Sequence, residues 1–266
     1  MITTMPRTFA HLAAFAVTLA IGLATVCAAP AQADQSDDET MGLGVYDDLK
    51  AKGQVVEGSP YLPILRRVGD RLSAAARPHW FTERFYVVRG NQINAFSAPG
   101  GYVFVNEGLL RTINNTDELA NVLGHETAHL VLGHVQAKVQ QQKRKSFLTN
   151  IGKALTGKGS TGSQNTFDAA TQIGNYSFLN FTRQQEYAAD ELGAKLAAKA
   201  GYNPWGTVWF FNELGRLVGD AGYEQYVQEH PSTSDRTERI ARYLRDGTAY
   251  ARWKNRPPTT TGLVSP

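Results

Sequence analysis

Residues 124–134 read GHETAHLVLGH, so His125, Glu126, His129 and His134 interrupt a run of apolar side chains. Residues four apart on a helix differ by about 40° in azimuth and stand one turn apart, so His125 and His129 project side by side. Two imidazoles at that spacing can bind one zinc ion, and Glu126 beside them can reach a water on it without ligating the metal. Leu119, Val122, Leu123, Ala128, Leu130, Val131, Leu132 and Val135 leave this helix almost no solvated side. Unpaired imidazoles and a carboxylate are costly in such a setting, and a cation removes the cost. The competing reading is a chance HExxH on a solvated face. On a continuous helix His134 lies about 180° from His125, so it is read as a hydrogen-bonded structural histidine rather than a ligand of the same ion.

A third ligand decides between these readings. The metzincin pattern needs glycine three positions after the second histidine and another histidine three further on; Leu132 and Val135 stand there, which excludes it. The other route brings a carboxylate from a second helix. The stretch TRQQEYAAD at 182–190 offers Glu186, with Asp190 one turn later on the same face. Glu186 would complete two-His-one-Glu ligation and leave a fourth position open. Asp190 would accept the N–H of His125 or His129 and fix its tautomer. The alternative for each is a surface charge partner, the reading given to Glu118 and Glu191. The alanine-rich surroundings of Glu186 favour burial.

The elements that must hold these residues can be read around them. SPYLPILRRVGDRLSAAAR at 59–77 has apolar residues at helical spacing, with Pro60 suited to a helix start. RFYVVRGNQINAFSAPGGYVFV at 84–105 changes period: aromatic and β-branched runs flank Pro99-Gly100-Gly101, which predicts strands joined by a turn. Asn115, with Glu118 three positions on, opens the HExxH helix, predicted to run to about Lys143. LTGKGSTGSQNT interrupts the helices, and the 145–165 stretch is a candidate lid. Thr182 is the expected N-cap of the next helix and Gly201 marks its end; two more helices follow. The expected fold is α+β, mainly helical, with a small early sheet and a central HExxH helix.

Composition bounds the rest. Arg7 and an uncharged Ala/Leu-rich stretch from Leu12 to Ala29, ending in Ala31-Gln32-Ala33, predict a signal peptide cleaved after Ala33; the alternative is a retained membrane anchor. Cys27, the only cysteine, falls in this segment, where it is a candidate for lipid attachment, although Val26 is larger than such signals prefer. Cleavage after Ala33 removes it, excludes disulfides, and leaves His, Asp and Glu as metal ligands. The formal charge of +3 falls to about +2 without Arg7, too even for a nucleic-acid partner. No second apolar stretch reaches membrane-spanning length. The expected division is a signal peptide over 1–33, a loose acidic lead over 34–59, a zinc metallopeptidase domain over 60–247, and a disordered tail over 248–266.

HETAH at 125–129, Thr182-Arg183-x-x-Glu186-x-x-x-Asp190, NAFSAPGGYVFV at 94–105 and HPSTSDR at 230–236, in this order, resemble the HtpX / CAAX-prenyl-protease type of zinc metallopeptidase over roughly Tyr61 to Arg242. That family has a gluzincin fold. Without membrane helices after the signal, the chain is most similar to its soluble periplasmic BepA- and LoiP-like branch, though it has no room for the C-terminal helical repeats of BepA-like members. The resemblance implies one Zn2+ per chain, held by His125, His129 and Glu186. It makes His230 either a donor to the tetrahedral oxyanion or a fourth ligand that closes the site, and it gives Arg236 a structural or electrostatic supporting role. Asn94, Ala95 and Phe96 are expected on a sheet edge above the zinc, where an extended peptide can pair through its main chain; alternatively Phe96 and Tyr102 fill the core.

The expected activity is hydrolysis of peptide bonds in unfolded or misfolded envelope proteins, with outer-membrane proteins or their assembly machinery as possible partners. Membrane contact would be peripheral or through Cys27. The other class of reading is a non-proteolytic, chaperone-like factor with a closed structural zinc. An aminopeptidase of the zincin type fits less well, because 56 residues separate His129 from Glu186.

Overall fold

The computed structural model describes residues 35–155, 181–219, 224, 226, 228, 230, 233–259 and 262–263. The predicted signal peptide with Cys27, and residues 156–165 of the candidate lid, lie outside these residues; residues 145–155 of that stretch are helical.

Three strands form one sheet: β1 (Arg84–Val88), β2 (Ala95–Ala98) and β3 (Tyr102–Asn106). β3 is central, parallel to β1 and antiparallel to β2, with Phe96 opposite Phe104 and Ser97 opposite Val103. Because side chains alternate along a strand, Val103 and Val105 enter the main core while Tyr102 and Phe104 enter a second cluster on the other face. That second face is covered by α1 (Gln35–Ala51), whose Val45 and Leu49 pack on it. This corrects the expected loose lead over 34–59. Met41, Val45 and Leu49 recur every four residues, a helical stripe hidden by the acidic composition around it.

The main core lies between the other face of the sheet and the helices α2 (Leu62–Ala76), α4 (Thr116–Val131), α6 (Arg183–Lys199), α7 (Gly206–Arg216) and α8 (Thr233–Asp246); the short α3 (Glu107–Thr112) links β3 to α4. α2 begins at Leu62 with Pro63, rather than Pro60, in its first turn, where a missing N–H costs nothing. Its Ile64, Leu65, Val68 and Leu72 are buried. α4 is the centre of the molecule: every residue from Thr116 to Leu130 is buried. A helix surrounded on all sides needs no amphipathic stripe, so its few polar residues must find partners within the protein.

The HExxH helix does not run on to Lys143. Gly133 adopts φ +69, its N–H donates to Leu130, and a separate helix α5 (His134–Leu155) starts beyond it. A left-handed residue ends an α-helix, and glycine takes that conformation without steric penalty. The N-terminus of α4 is capped as predicted: Asn115 accepts the N–H of Glu118 at 2.9 Å. Glu118 itself, expected at the surface, is buried and returns bonds to Asn114 N–H at 2.9 Å and Asn115 Nδ2 at 2.8 Å. Glu191 is an ion-pair partner of Arg239 at 2.9 Å.

The tail expected to be disordered over 248–266 is ordered in its described part. A 3₁₀ turn over Thr248–Trp253 buries Tyr250 and Trp253. Asp117, in the first turn of α4, then accepts Thr259 N–H at 2.6 Å and the Thr259 hydroxyl at 2.8 Å. Two aromatic anchors and a helix-terminal carboxylate outweigh the Pro/Thr-rich composition. Among the described residues no helix is long and apolar enough to cross a membrane.

Candidate metal centre

The site is built where α4 and α6 cross. Gly124 and Gly193 meet at the crossing: a Cβ on Gly124 would stand 2.8 Å from the Gly193 carbonyl oxygen, and one on Gly193 would stand 2.8 Å from His125 N. Two hydrogens in place of two methyl groups bring the backbones close enough for side chains one turn away to converge. Thr182 and Gln185 form a reciprocal capping box that fixes the start of α6 and hence the height of Glu186.

His125, His129, Glu186 and His230 each offer one ligand atom within 4.8 Å of the others, and all four are buried. His125 Nε2 and His129 Nε2 are 3.0 Å apart. Glu186 Oε2 lies 3.6 Å from His125 Nε2, and Oε1 lies 3.5 Å from His129 Nε2. Bonds of about 2.1 Å at tetrahedral angles would set ligand atoms roughly 3.4 Å apart, so these spacings match a tetrahedral metal shell.

Hydrogen bonding on the far side of each ring supports the same conclusion. His125 Nδ1 lies 3.0 Å from Asp190 Oδ1, so its proton sits there and its Nε2 lone pair faces the cluster. His129 Nδ1 lies 3.1 Å from His134 Nδ1, and a proton shared there also turns the His129 Nε2 lone pair inward. His134 is thus hydrogen-bonded, as expected, and its partner is His129 itself. Phe181 stacks on the His129 ring at 3.8 Å. Two lone pairs and a carboxylate then face one another, and Glu186 Oε1 is buried with no hydrogen-bond partner. The two lone pairs and this bare oxygen meet with no donor between them, and a metal ion fits such a set.

Arg236 is only 1% exposed, which rules out a surface role. Its Nε and one terminal nitrogen donate to Asp190 at 2.8 and 2.7 Å, and its other terminal nitrogen forms an ion pair with Glu186 at 2.6 Å. That last nitrogen does not point its N–H along the contact. Its guanidinium also lies over the Phe211 ring at 4.8 Å. Burial opposes ionisation of Glu186 and Asp190, but the guanidinium outweighs it and holds both carboxyls below their ordinary range.

Burial lowers the His129 pKa to about 3, with His125 adding to the effect, so the ring is neutral and available as a ligand. His230 is the opposite case. Burial works against its charged form, yet Glu186 at 3.3 Å and Glu126 at 3.9 Å together raise its pKa to about 9. Tyr226 stacks on the His230 ring at 4.9 Å.

Glu126 is 2% exposed, and burial raises its pKa against the pull of His230, His125 and Ser97. Its Oε2 accepts the Ser97 hydroxyl at 2.8 Å. Of the predicted strand residues, Ala95 lines a small pocket beside His125 and Glu126, walled by Val122, Phe210 and Phe211. Asn94 is buried at the head of the strand, its carbonyl accepting Asn106 N–H at 2.9 Å. The Phe96 side chain points away from the cavity: it stacks on Phe104 at 5.0 Å in the second cluster, where Tyr102 also lies. Alternation makes Ser97, not Phe96, the neighbour of the cluster. That partner was missed, although the period-two pattern of NAFSA contained the signal.

Comparison with known proteins matches residues 63–244 to peptidase family M48. The chain is 28% identical over 211 residues to the beta-barrel assembly-enhancing protease of Yersinia pestis, covering 76% of this chain and 41% of that protein. It is 31% identical over 183 residues to a putative beta-barrel assembly-enhancing protease of Vibrio cholerae, covering 67% and 38% respectively. It is 29% identical over 191 residues to the mitochondrial metalloendopeptidase OMA1 of Schizosaccharomyces pombe, covering 70% and 53%. The chain spans between 38% and 53% of the length of these relatives.

Proposed function

The chain belongs to peptidase family M48, and from that premise we propose that it is an exported zinc-dependent metalloendopeptidase acting on unfolded or misfolded envelope proteins. One observation carries the reading: two imidazole lone pairs and an unpartnered buried carboxylate oxygen converge beside a second carboxylate, Glu126.

His125, His129 and Glu186 would hold the zinc, with Asp190 orienting His125 and Arg236 orienting both carboxylates. When bound, the ion supplies Lewis acidity to the scissile carbonyl and to water. Glu126 accepts a proton from the attacking water as that oxygen bonds to the carbonyl carbon, then returns it to the amide nitrogen as the C–N bond breaks. His230 would donate an N–H to the developing oxyanion. The edge strand β2, at Asn94–Phe96, would bind an extended peptide through its main chain, which suits substrates without a fixed sequence. The side chain of Phe96 has no part in this.

Action on envelope proteins rests on the signal-like leader and on the similarity to beta-barrel assembly-enhancing proteases. Outer-membrane proteins or their assembly machinery are the proposed partners.

The test pairs metal analysis with digestion of casein and of an unfolded outer-membrane protein. Wild type carries one zinc and cleaves both; Glu126→Gln keeps the zinc and cleaves neither. Undiminished cleavage by Glu126→Gln would sink the mechanism. A second reading is favoured by the inclusion of His230 among the four convergent groups: a closed site, either a resting state or a structural zinc in a chaperone-like factor. His230→Ala distinguishes them: it raises turnover if the closed site is a resting state, whereas a structural zinc predicts no cleavage by either wild type or the variant.

A further inference from the structure

We propose that Ser97 is a positioning residue that anchors one oxygen of Glu126 and reserves the other for the proton in transit. The inference rests on the reading of Glu126 as the base. Ser97 is 3% exposed and lies on β2 facing α4, with Phe96 and Ala98 turned to the opposite cluster. The main-core face of β1 and β3 is otherwise apolar, carrying Phe85, Val87, Val103 and Val105. A hydroxyl in that layer must find a partner, and both available partners belong to Glu126: Oε2 at 2.8 Å and the main-chain carbonyl at 3.1 Å.

One hydroxyl proton cannot serve both acceptors fully, and the shorter contact to the charged oxygen takes it. The Glu126 carboxylate is therefore locked at Oε2. Oε1, 3.9 Å from His230 Nε2, is the oxygen left to take the proton from water. An unanchored carboxylate rotates about its last torsion and spends time in orientations that cannot accept this proton. The anchor also sits on the strand proposed to pair with substrate. A peptide added to β2 would stiffen the same segment that aims the base.

Thr and Val have the same shape and both suit a strand, so Ser97→Thr and Ser97→Val differ only in the hydroxyl. Expected results are a kcat for Ser97→Val and Ser97→Ala about 10- to 100-fold below wild type, the range for losing a hydrogen bond to a charged group. KM stays within about twofold, zinc content is full, and Ser97→Thr recovers most of kcat. Equal kcat for the Thr and Val variants overturns the inference; if the extra methyl unfolds both, Ser97→Ala with wild-type kcat overturns it. Glu126→Gln in the same series separates the two claims. Its persistence of cleavage removes the base itself, whereas its inactivity beside a fully active Ser97→Ala removes only the anchor.

Discussion

Replacing Arg236 with methionine tests the electrostatic frame of the site most directly. The guanidinium makes two hydrogen bonds to Asp190, at 2.8 and 2.7 Å, and an ion pair with Glu186 at 2.6 Å, while being 1% exposed. Methionine fills a similar volume and keeps contact with Phe211, so the loss is mainly of charge and donors. Two carboxylates then remain buried without their cation. Breaking a buried ion pair from one side costs about 3–5 kcal/mol, a large part of the roughly 5–15 kcal/mol that holds a domain together. Urea melts of the metal-free protein should show that loss. Zinc restores part of it at Glu186, since the ion is itself a counter-charge, but it does not reach Asp190, which orients His125 at 3.0 Å. Zinc affinity, measured against a competing chelator, should fall about 10- to 100-fold, the usual cost of losing a ligand's orienting partner. Arg236→Lys keeps the charge but not the planar fork, and should lie between wild type and Arg236→Met. Adding Asp190→Asn to Arg236→Met should cost less than the two changes summed, because the second removes the charge the first stranded. Arg236→Met with wild-type stability and wild-type zinc affinity would refute the argument.

Two further perturbations probe separate parts of the frame. The His230 pKa is raised to about 9 in the folded chain. Its stabilising contribution is therefore complete below about pH 6.5 and lost as pH rises through 9. The stability gap between metal-free wild type and His230→Ala should narrow by about 3 kcal/mol between pH 6.5 and 9.5 in melts across that range, at about 1.4 kcal/mol per unit of pKa shift; a constant gap would contradict the pairing with Glu186 and Glu126. Gly193→Ala places a methyl group 2.8 Å from His125 N, where only backbone can yield. It should part α4 from α6, cost about 1–3 kcal/mol, and lower zinc affinity, whereas Gly215→Ala, with open space around it, should do neither.

What could be read from the chain, and what could not, divides along a physical line. His125 and His129 were legible because four-residue spacing on a helix is local geometry, and Asn115 and Thr182 because a cap is a contact over three residues. Glu186 and Asp190 needed more: a helix whose surroundings called for burial, and an ion that demanded another ligand. His230 and Arg236 came only from resemblance, since nothing in HPSTSDR by itself says which helix it will face. The misreadings follow the same line. Gly133 looked like one residue within a long apolar and polar run, and the left-handed turn it takes separates two helices with no proline to announce it. Val45 and Leu49 were hidden in an acidic lead, and Tyr250 and Trp253 in a Pro/Thr-rich tail, because composition was weighed where spacing and aromatic anchors mattered.

The contacts that aim the site were the least legible of all. Gly124 and Gly193 are 69 positions apart, and a glycine signals close approach only once its partner is known. Ser97 was visible as the polar member of an alternating strand, yet which face of that strand met Glu126 depended on β2 pairing antiparallel with β3. The ligands of a metal are specified by chemistry, and chemistry is local enough to be written in a short motif. The distances between ligands are specified by how closely two backbones pass, which a short motif does not record. If that division is right, variants at Gly193 should lower zinc affinity while leaving every ligand in place, and the defect should scale with the volume added at the crossing rather than with the polarity of the side chain introduced.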